Sequence, residues 1–184
     1  ATGIEHIPDQ DGFMLFPNHQ GLFDMLALFS TCPRPLSAVI KKEASGWILV
    51  KQVIGATGSL AMDRSDIKDQ VRIIGEVTKR VREGSNFVIF AEGHRSRKGN
   101  EILDFKSGTF KSALKAGCPI VPVALINSFR PFDINSLSRE YVEVHYMEPI
   151  LPEQYIGMKT SEIAHLVHDR IQEEINKKES LFIT

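Results

Sequence analysis

Long hydrophobic runs are missing from these 184 residues. The longest apolar stretches, such as Val123-Ala124-Leu125-Ile126, are strand-sized and far short of the ~20 residues that span a bilayer. An excess of one charge is missing too, with 22 Lys and Arg against 23 Asp and Glu. That balance speaks against a nucleic-acid partner and against an acidic tail. Cysteine is scarce: Cys32 and Cys118 lie far apart and form no CxxC pattern. A structural disulfide is therefore not expected, and a reducing cytoplasmic setting is the default. No HExxH, GxSxG, P-loop or GxGxxG pattern occurs. What the chain does have is 42 % hydrophobic residues, enough to core one domain over residues 1–184.

The apolar residues alternate between strand-like and helix-like spacing. Short buried runs are expected at Phe13 to Phe16, Leu36 to Ile40, Gly58 to Met62, Phe87 to Phe90 and Ile120 to Ile126. Tyr141 to Tyr146 alternates and reads as an edge or half-exposed strand. Helices are expected from the His19 turn to about Phe29, over Ala44 to Ile54, over Ser107 to Ala116 and over Thr160 to Lys178. Another should follow an N-cap at Ser65 and carry Ile67, Val71, Ile74, Val77 and Val81, ending at Gly84. Trp47, Ile48, Leu49, Val50 and Val53 cover much of one helix and suit either a core or a surface touching lipid or an acyl chain. Together the pattern predicts an α/β fold, a single domain with a largely parallel β-sheet flanked by helices.

Such sheets bind ligands beyond the carboxyl ends of their strands. Three charged motifs fall there: His19 and Asp24 after Phe16, Asp63 and Arg64 after Met62, and Glu92 and Arg95 after Phe90. Positions five apart diverge by about 140° on a helix. His19 and Asp24 can meet only if His19 lies in the strand-to-helix turn and Asp24 in the first helical turn. One ring N–H would then face the carboxylate, leaving the other nitrogen as a base. An isolated pair of this kind is more often structural; its place beside two other motifs at strand ends favours catalysis. Arg64 and Arg95, with Lys106 nearby, form a collection point for phosphate, whose oxygens match guanidinium forks. His94 is expected at the rim. His165 and His168, beside Asp169, look like a wet helix face rather than a metal site.

Four ordered blocks resemble the glycerolipid acyltransferases. They are His19-x4-Asp24, Gly58-x-Leu60-Ala61-Met62-Asp63-Arg64, Phe90-Ala91-Glu92-Gly93-His94-Arg95-Ser96 and Val121-Pro122-Val123. Phe105-Lys106-Ser107-Gly108 and Gly3-Ile4-Glu5 add to a likeness that runs from about Gly3 to Ser128. Ala91 stands where proline is usual, His94 where threonine is usual, and Ala61 replaces a bulkier residue.

The resemblance implies that His19, oriented by Asp24, takes the proton of the sn-2 hydroxyl of 1-acylglycerol-3-phosphate (lysophosphatidic acid). That oxygen would attack the thioester of acyl-CoA or acyl-carrier protein, giving phosphatidic acid without a cofactor or metal. Arg64, Arg95 and more weakly Lys106 would hold the phosphate, Glu92 the glycerol, and the backbone near Gly93 the oxyanion. Pro122 would shape the acyl-donor wall. Members usually carry a membrane-anchoring segment before the first block. Only 18 residues precede His19, so that segment is expected outside this chain, with the protein at the cytoplasmic face of a membrane. Rival readings at this level are an acyltransferase for glycerol-3-phosphate or a larger lysophospholipid, a non-catalytic phosphate- or lipid-binding module at a membrane surface, and a metal-dependent hydrolase.

Overall fold

Each of the first four strands is followed by a stretch containing a helix that returns the chain across the sheet, which is what parallel pairing demands. The computed structural model describes residues 1–46, 48–134 and 137–181. The strands are β1 (Met14–Pro17), β2 (Ser37–Lys41), β3 (Leu60–Met62), β4 (Phe87–Val88), β5 (Ile120–Ile126) and β6 (Glu143–Tyr146). The helices are α1 (Asp24–Thr31), α2 (Ile48–Thr57), α3 (Ile67–Arg82), α4 (Lys111–Ala116), α5 (Arg130–Asp133), α6 (Pro152–Tyr155) and α7 (Thr160–Leu181). The strand order is β3-β2-β4-β1-β5-β6, with only β6 antiparallel.

Two apolar layers cover the sheet. On one face, Ala27 and Leu28 of α1 pack with Leu15, Val88, Val121 and Val123. On the other, α3, α4 and α7 pack on Met14, Phe16, Phe87, Ile120 and Ala124. Ile163, Val167, Ile171 and Ile175 of α7 are all buried, each contributing about 1.5–3 kcal/mol relative to exposure. All seven residues of β5 are buried, Pro122 included. Pro122 keeps its place because it lies beyond the last residue of β6, where its carbonyl accepts from the Met147 N–H.

This layering creates a crevice. The chain leaves β1 toward β2 over the α1 face, and leaves β4 toward β5 over the α4 face. Since β1 and β4 are neighbours, the loops after them diverge to opposite faces at the carboxyl edge, the place where α/β sheets bind ligands. His19 follows β1 and Glu92 follows β4.

The sequence expectations need three corrections. Asp66, not Ser65, caps α3: its carboxylate accepts from the Lys68 N–H at 2.8 Å, while the Ser65 hydroxyl turns back onto Asp63. On α3, Ile67 and Val71 are 74 % and 63 % exposed, and the buried face is Ile73, Val77, Thr78 and Val81. At about 100° per residue, Ile67 and Val71 stand roughly 80° and 120° around the helix from Val77. The expected edge strand β6 does end the sheet order, and His145 on it is buried. Thr2 bridges to it, and its ring lies between Glu143 and Glu174. Helix α2 begins four residues later than expected, after a short turn at Lys42–Ala44. Trp47, singled out for lipid contact, lies outside the described residues, as do the side chains of Ile48 and Leu49; Val50 and Val53 are half-buried.

Candidate active site

The loop between β1 and α1 is built to hold one imidazole. Asn18 binds the backbone of Leu125 twice, donating to its carbonyl at 3.0 Å and accepting from its N–H at 2.7 Å. Gln20 donates to the Leu125 carbonyl and to Asn100, and accepts from the Ser128 N–H. Both side chains are buried. They flank His19 and lash it to the end of β5.

His19 sits in the turn and Asp24 opens α1, as the spacing requires. The His19 Nδ1 lies 2.6 Å from Asp24 Oδ2. Asp24 also accepts the N–H of Gln20 at 2.8 Å, the N–H of Gly21 at 3.0 Å and the Ser128 hydroxyl at 2.6 Å. A carboxylate can only accept, so it holds the ring proton on Nδ1 and leaves Nε2 as the lone-pair nitrogen. The ring stacks on Phe90 with centroids 4.0 Å apart. Gly21 is required by close approach: a Cβ there would come within 2.7 Å of Phe129 Cα and would collide with Asp133.

Glu92 is held by backbone donors from two loops. It is buried, and its two oxygens accept the His19 N–H at 2.5 Å and the Leu103 N–H at 3.1 Å. It therefore clamps the β1 and β4 loops across the crevice. Burial raises its carboxyl to about 7 against the pull of those two N–H bonds, and the Asp24 charge adds to the rise. The Gly93 N–H is likewise engaged, closing a turn on the Phe90 carbonyl. The oxyanion role expected for the backbone here has no free Gly93 donor. Gly93 itself holds φ +79, and a Cβ on it would come 2.8 Å from Lys106 Nζ. The lysine side chain lies across it.

Beside this clamp is a cavity of about 250 Å³. Phe90, the ring on which His19 stacks, forms part of its wall. Val39, Met62, Ile73, Ile74 and Ile89 make an apolar floor, and Arg64, Lys106 and Lys111 bring cationic groups to it. Burial lowers the pKa of Arg64, and the Glu43 charge opposes that shift; a guanidinium stays charged regardless. Asp63 points elsewhere, binding Ser65 and Lys42, which draw its carboxyl down to about 2. Arg95 departs from expectation. It pairs with Asp133 of α5 at 2.8 Å, on the far side of the loop, and does not line the cavity. Arg64 and Lys106 share the hollow; the two guanidiniums do not. Pro122 is buried within β5, opposite Phe16. His94 is exposed, and His168 meets the edge of Phe105. Among the described residues no cluster of His, Cys, Asp or Glu is arranged to hold a metal.

The Acyltransferase family model matches residues 1–126, which carry all four blocks. The chain belongs to the acyltransferase family. A 1-acyl-sn-glycerol-3-phosphate acyltransferase from Escherichia coli is 32 % identical over 149 residues, 80 % of this chain and 60 % of that protein. The enzyme of the same name from Haemophilus influenzae is 28 % identical over 160 residues, covering 86 % and 66 %. The chain thus spans less than two thirds of the length of these relatives. The crystal structure of the 1-acyl-sn-glycerophosphate (LPA) acyltransferase from Thermotoga maritima superposes with a TM-score of 0.80. That likeness covers 96 % of this chain and 70 % of the other at 22 % identity, and it speaks for the fold.

Several parts of this acyltransferase-family site carry no mark in the four blocks. Asn18, Gln20 and Asn100 are uncharged and read as loop residues, yet they fix the histidine loop. Ser128 and Asp133 lie beyond the family match. A signal did exist for Asn18 and Gln20: two amides flanking a histidine at a buried strand end must find partners, because burying an unpaired amide is costly.

Proposed function

We propose that this chain carries the acyl-transfer centre of a 1-acylglycerol-3-phosphate acyltransferase. The reading rests on one observation above the rest. A histidine has its Nδ1 braced 2.6 Å from a buried carboxylate, and its ring stacks on Phe90, which walls a cavity holding Arg64 and Lys106. The relatives' names supply the substrate class.

In this reading Nε2 of His19 takes the proton of the sn-2 hydroxyl as its oxygen bonds to the thioester carbonyl carbon of acyl-CoA or acyl-carrier protein. Collapse of the tetrahedral intermediate breaks the C–S bond, and the imidazolium returns the proton to the departing thiolate. Phosphatidic acid and a free thiol result. General-base help of this kind is usually worth ~10²–10⁴-fold. Arg64 and Lys106 hold the acceptor phosphate, and the apolar cavity wall takes part of its chain. Anchoring the phosphate there turns binding energy into orientation of the hydroxyl. The donor thioester is itself activated, so no cofactor is called for. A lysophospholipid acceptor favours work at a membrane surface, and an acyl-CoA or acyl-carrier-protein donor favours its cytoplasmic side. Among the described residues no helix is long and apolar enough to cross a membrane.

The test is thiol release with 1-acylglycerol-3-phosphate and acyl-CoA. Wild type should turn over, and His19→Ala should fall to the no-protein rate with its circular dichroism unchanged. A His19→Ala protein that keeps its turnover removes the base role. Turnover with glycerol-3-phosphate in preference moves the acceptor.

A further inference from the structure

We propose that Ser128 is a positioning residue for the acyl-transfer step, aimed at Asp24 by a left-handed turn at Asn127. The role presupposes the base function of His19 proposed above. Strand β5 ends at Ile126, and Asn127 then takes φ 59, one of two non-glycine residues with positive φ among those described. Left-handed backbone is disfavoured for residues with a Cβ, and asparagine is among the few that tolerate it. Here it is held in place. Asn100 Oδ1 accepts the Asn127 N–H at 2.8 Å, and the Asn100 side-chain amide donates to Asn127 Oδ1 at 3.3 Å. The same Asn100 Oδ1 accepts from Gln20 at 3.0 Å, so one side chain ties the turn to the histidine loop.

The consequence is the placement of Ser128, which is 0 % exposed. Its N–H donates to Gln20 Oε1 at 2.9 Å, and its hydroxyl lies 2.6 Å from Asp24 Oδ1 and 3.0 Å from Gln20 Oε1. A hydroxyl has one proton, and the shorter approach to a carboxylate claims it. Ser128 thus joins the Gly21 N–H on Oδ1, while Oδ2 serves the His19 ring and the Gln20 N–H. Without it, the carboxylate keeps two backbone donors of its own loop, the Gly21 N–H on Oδ1 at 3.0 Å and the Gln20 N–H on Oδ2 at 2.8 Å, and loses its tie to the end of β5. The bonds of Ser128 run to Asp24 and Gln20, so its loss should bear on the chemical step rather than on phosphate binding. Strained backbone that serves to aim a buried side chain at a reacting group is expected at functional sites.

The experiment is steady-state thiol release with 1-acylglycerol-3-phosphate and acyl-CoA, run beside His19→Ala and with thermal melting of each variant. Ser128→Ala should lower kcat on the order of ten- to a hundredfold, the scale set by misplacing a catalytic group, with the acceptor KM within twofold of wild type. Ser128→Cys fills the same space with a poor donor, so it should show the same kcat loss even if the alanine variant does not fold. Asn127→Gly, which adopts positive φ without strain, should keep more turnover than Asn127→Val. The proposal is overturned if the cysteine variant retains kcat within twofold, if the loss appears in KM alone, or if Asn127→Val matches Asn127→Gly. A dead His19→Ala beside an unimpaired Ser128→Cys removes Ser128 only. An active His19→Ala removes the base reading and Ser128's role with it.

Discussion

The histidine loop and the cationic cavity share Phe90, yet they are held by opposite means. In and around the loop, Asn18, Gln20, Asp24 and Ser128 are buried, and each donates to or accepts from a named partner. The cavity side carries Lys106, exposed and laid across Gly93, and Arg64, half-buried among apolar residues. A base must stand at about 2.6–3.2 Å from the atom whose proton it takes, so it is best fixed before substrate arrives. A phosphate is met well enough by long cationic side chains that settle around it. On the proposed reading, rigidity is concentrated where the bond changes, and adaptability where the substrate is gripped.

That contrast can be broken most directly at Asp24. Asp24→Asn should lower kcat by roughly 10²–10⁴-fold, because an amide can present its N–H₂ to Nδ1 and lose control of the tautomer. The acceptor KM should hardly move. A KM effect without a kcat effect would place Asp24 on the binding side and dissolve the distinction.

The cavity side predicts the reverse. Arg64→Ala and Lys106→Ala should each raise the acceptor KM by roughly ten- to a hundredfold, the range of a charge-assisted hydrogen bond of about 1.5–3 kcal/mol, with kcat little changed. Arg95→Ala should have a smaller effect, since a partly exposed pair such as Arg95–Asp133 contributes about 0–1 kcal/mol. If Arg95→Ala raises KM more than Arg64→Ala does, the phosphate sits on the α5 side of the loop.

Glu92 sharpens the comparison through pH. Its carboxyl titrates near 7 in the folded chain and near its ordinary value of 4.5 when unfolded. Between those values the folded state holds more protons, so this contribution to stability is complete below about pH 4.5 and is lost as pH rises through about 7. Urea unfolding at pH 5 and pH 8 should show wild type losing on the order of 2–3 kcal/mol more than Glu92→Gln. Equal losses would mean that Glu92 titrates normally and is not sealed between the loops.

The smallest effect belongs to the exposed end of α3. Ile67→Ser and Val71→Ser should each change stability by no more than about 0.5 kcal/mol, as surface substitutions do. A larger loss in thermal melts would return both residues to the core.

Much of this site could be read in the residues themselves. The apolar runs located β1, β4 and β5, and the helical spacing located α7. The five-residue spacing of His19 and Asp24 dictated a turn followed by a helix start, and the chain obeys it. Glu92 and Arg95 were harder. A charged side chain after a strand announces a strand end, but not whether it faces substrate or backbone. Glu92 was spent on the His19 and Leu103 N–H groups because the two diverging loops leave those donors buried and in need of an acceptor. Arg95 was drawn off by Asp133, a carboxylate 38 positions along the chain.

Local spacing alone located the strands and the longer helices, and showed that an imidazole and a carboxylate could meet, because these depend on neighbours within one or two turns of chain. Partnership across the crevice was decided only by folding. The choice of Lys106 over Arg95 as companion to Arg64, and of Ser128 as the last donor to Asp24, depends on which strands stand side by side. Hydrogen bonds and ion pairs act over about 3–4 Å, and residues 100 positions apart come within that reach only when the order of the sheet brings them there.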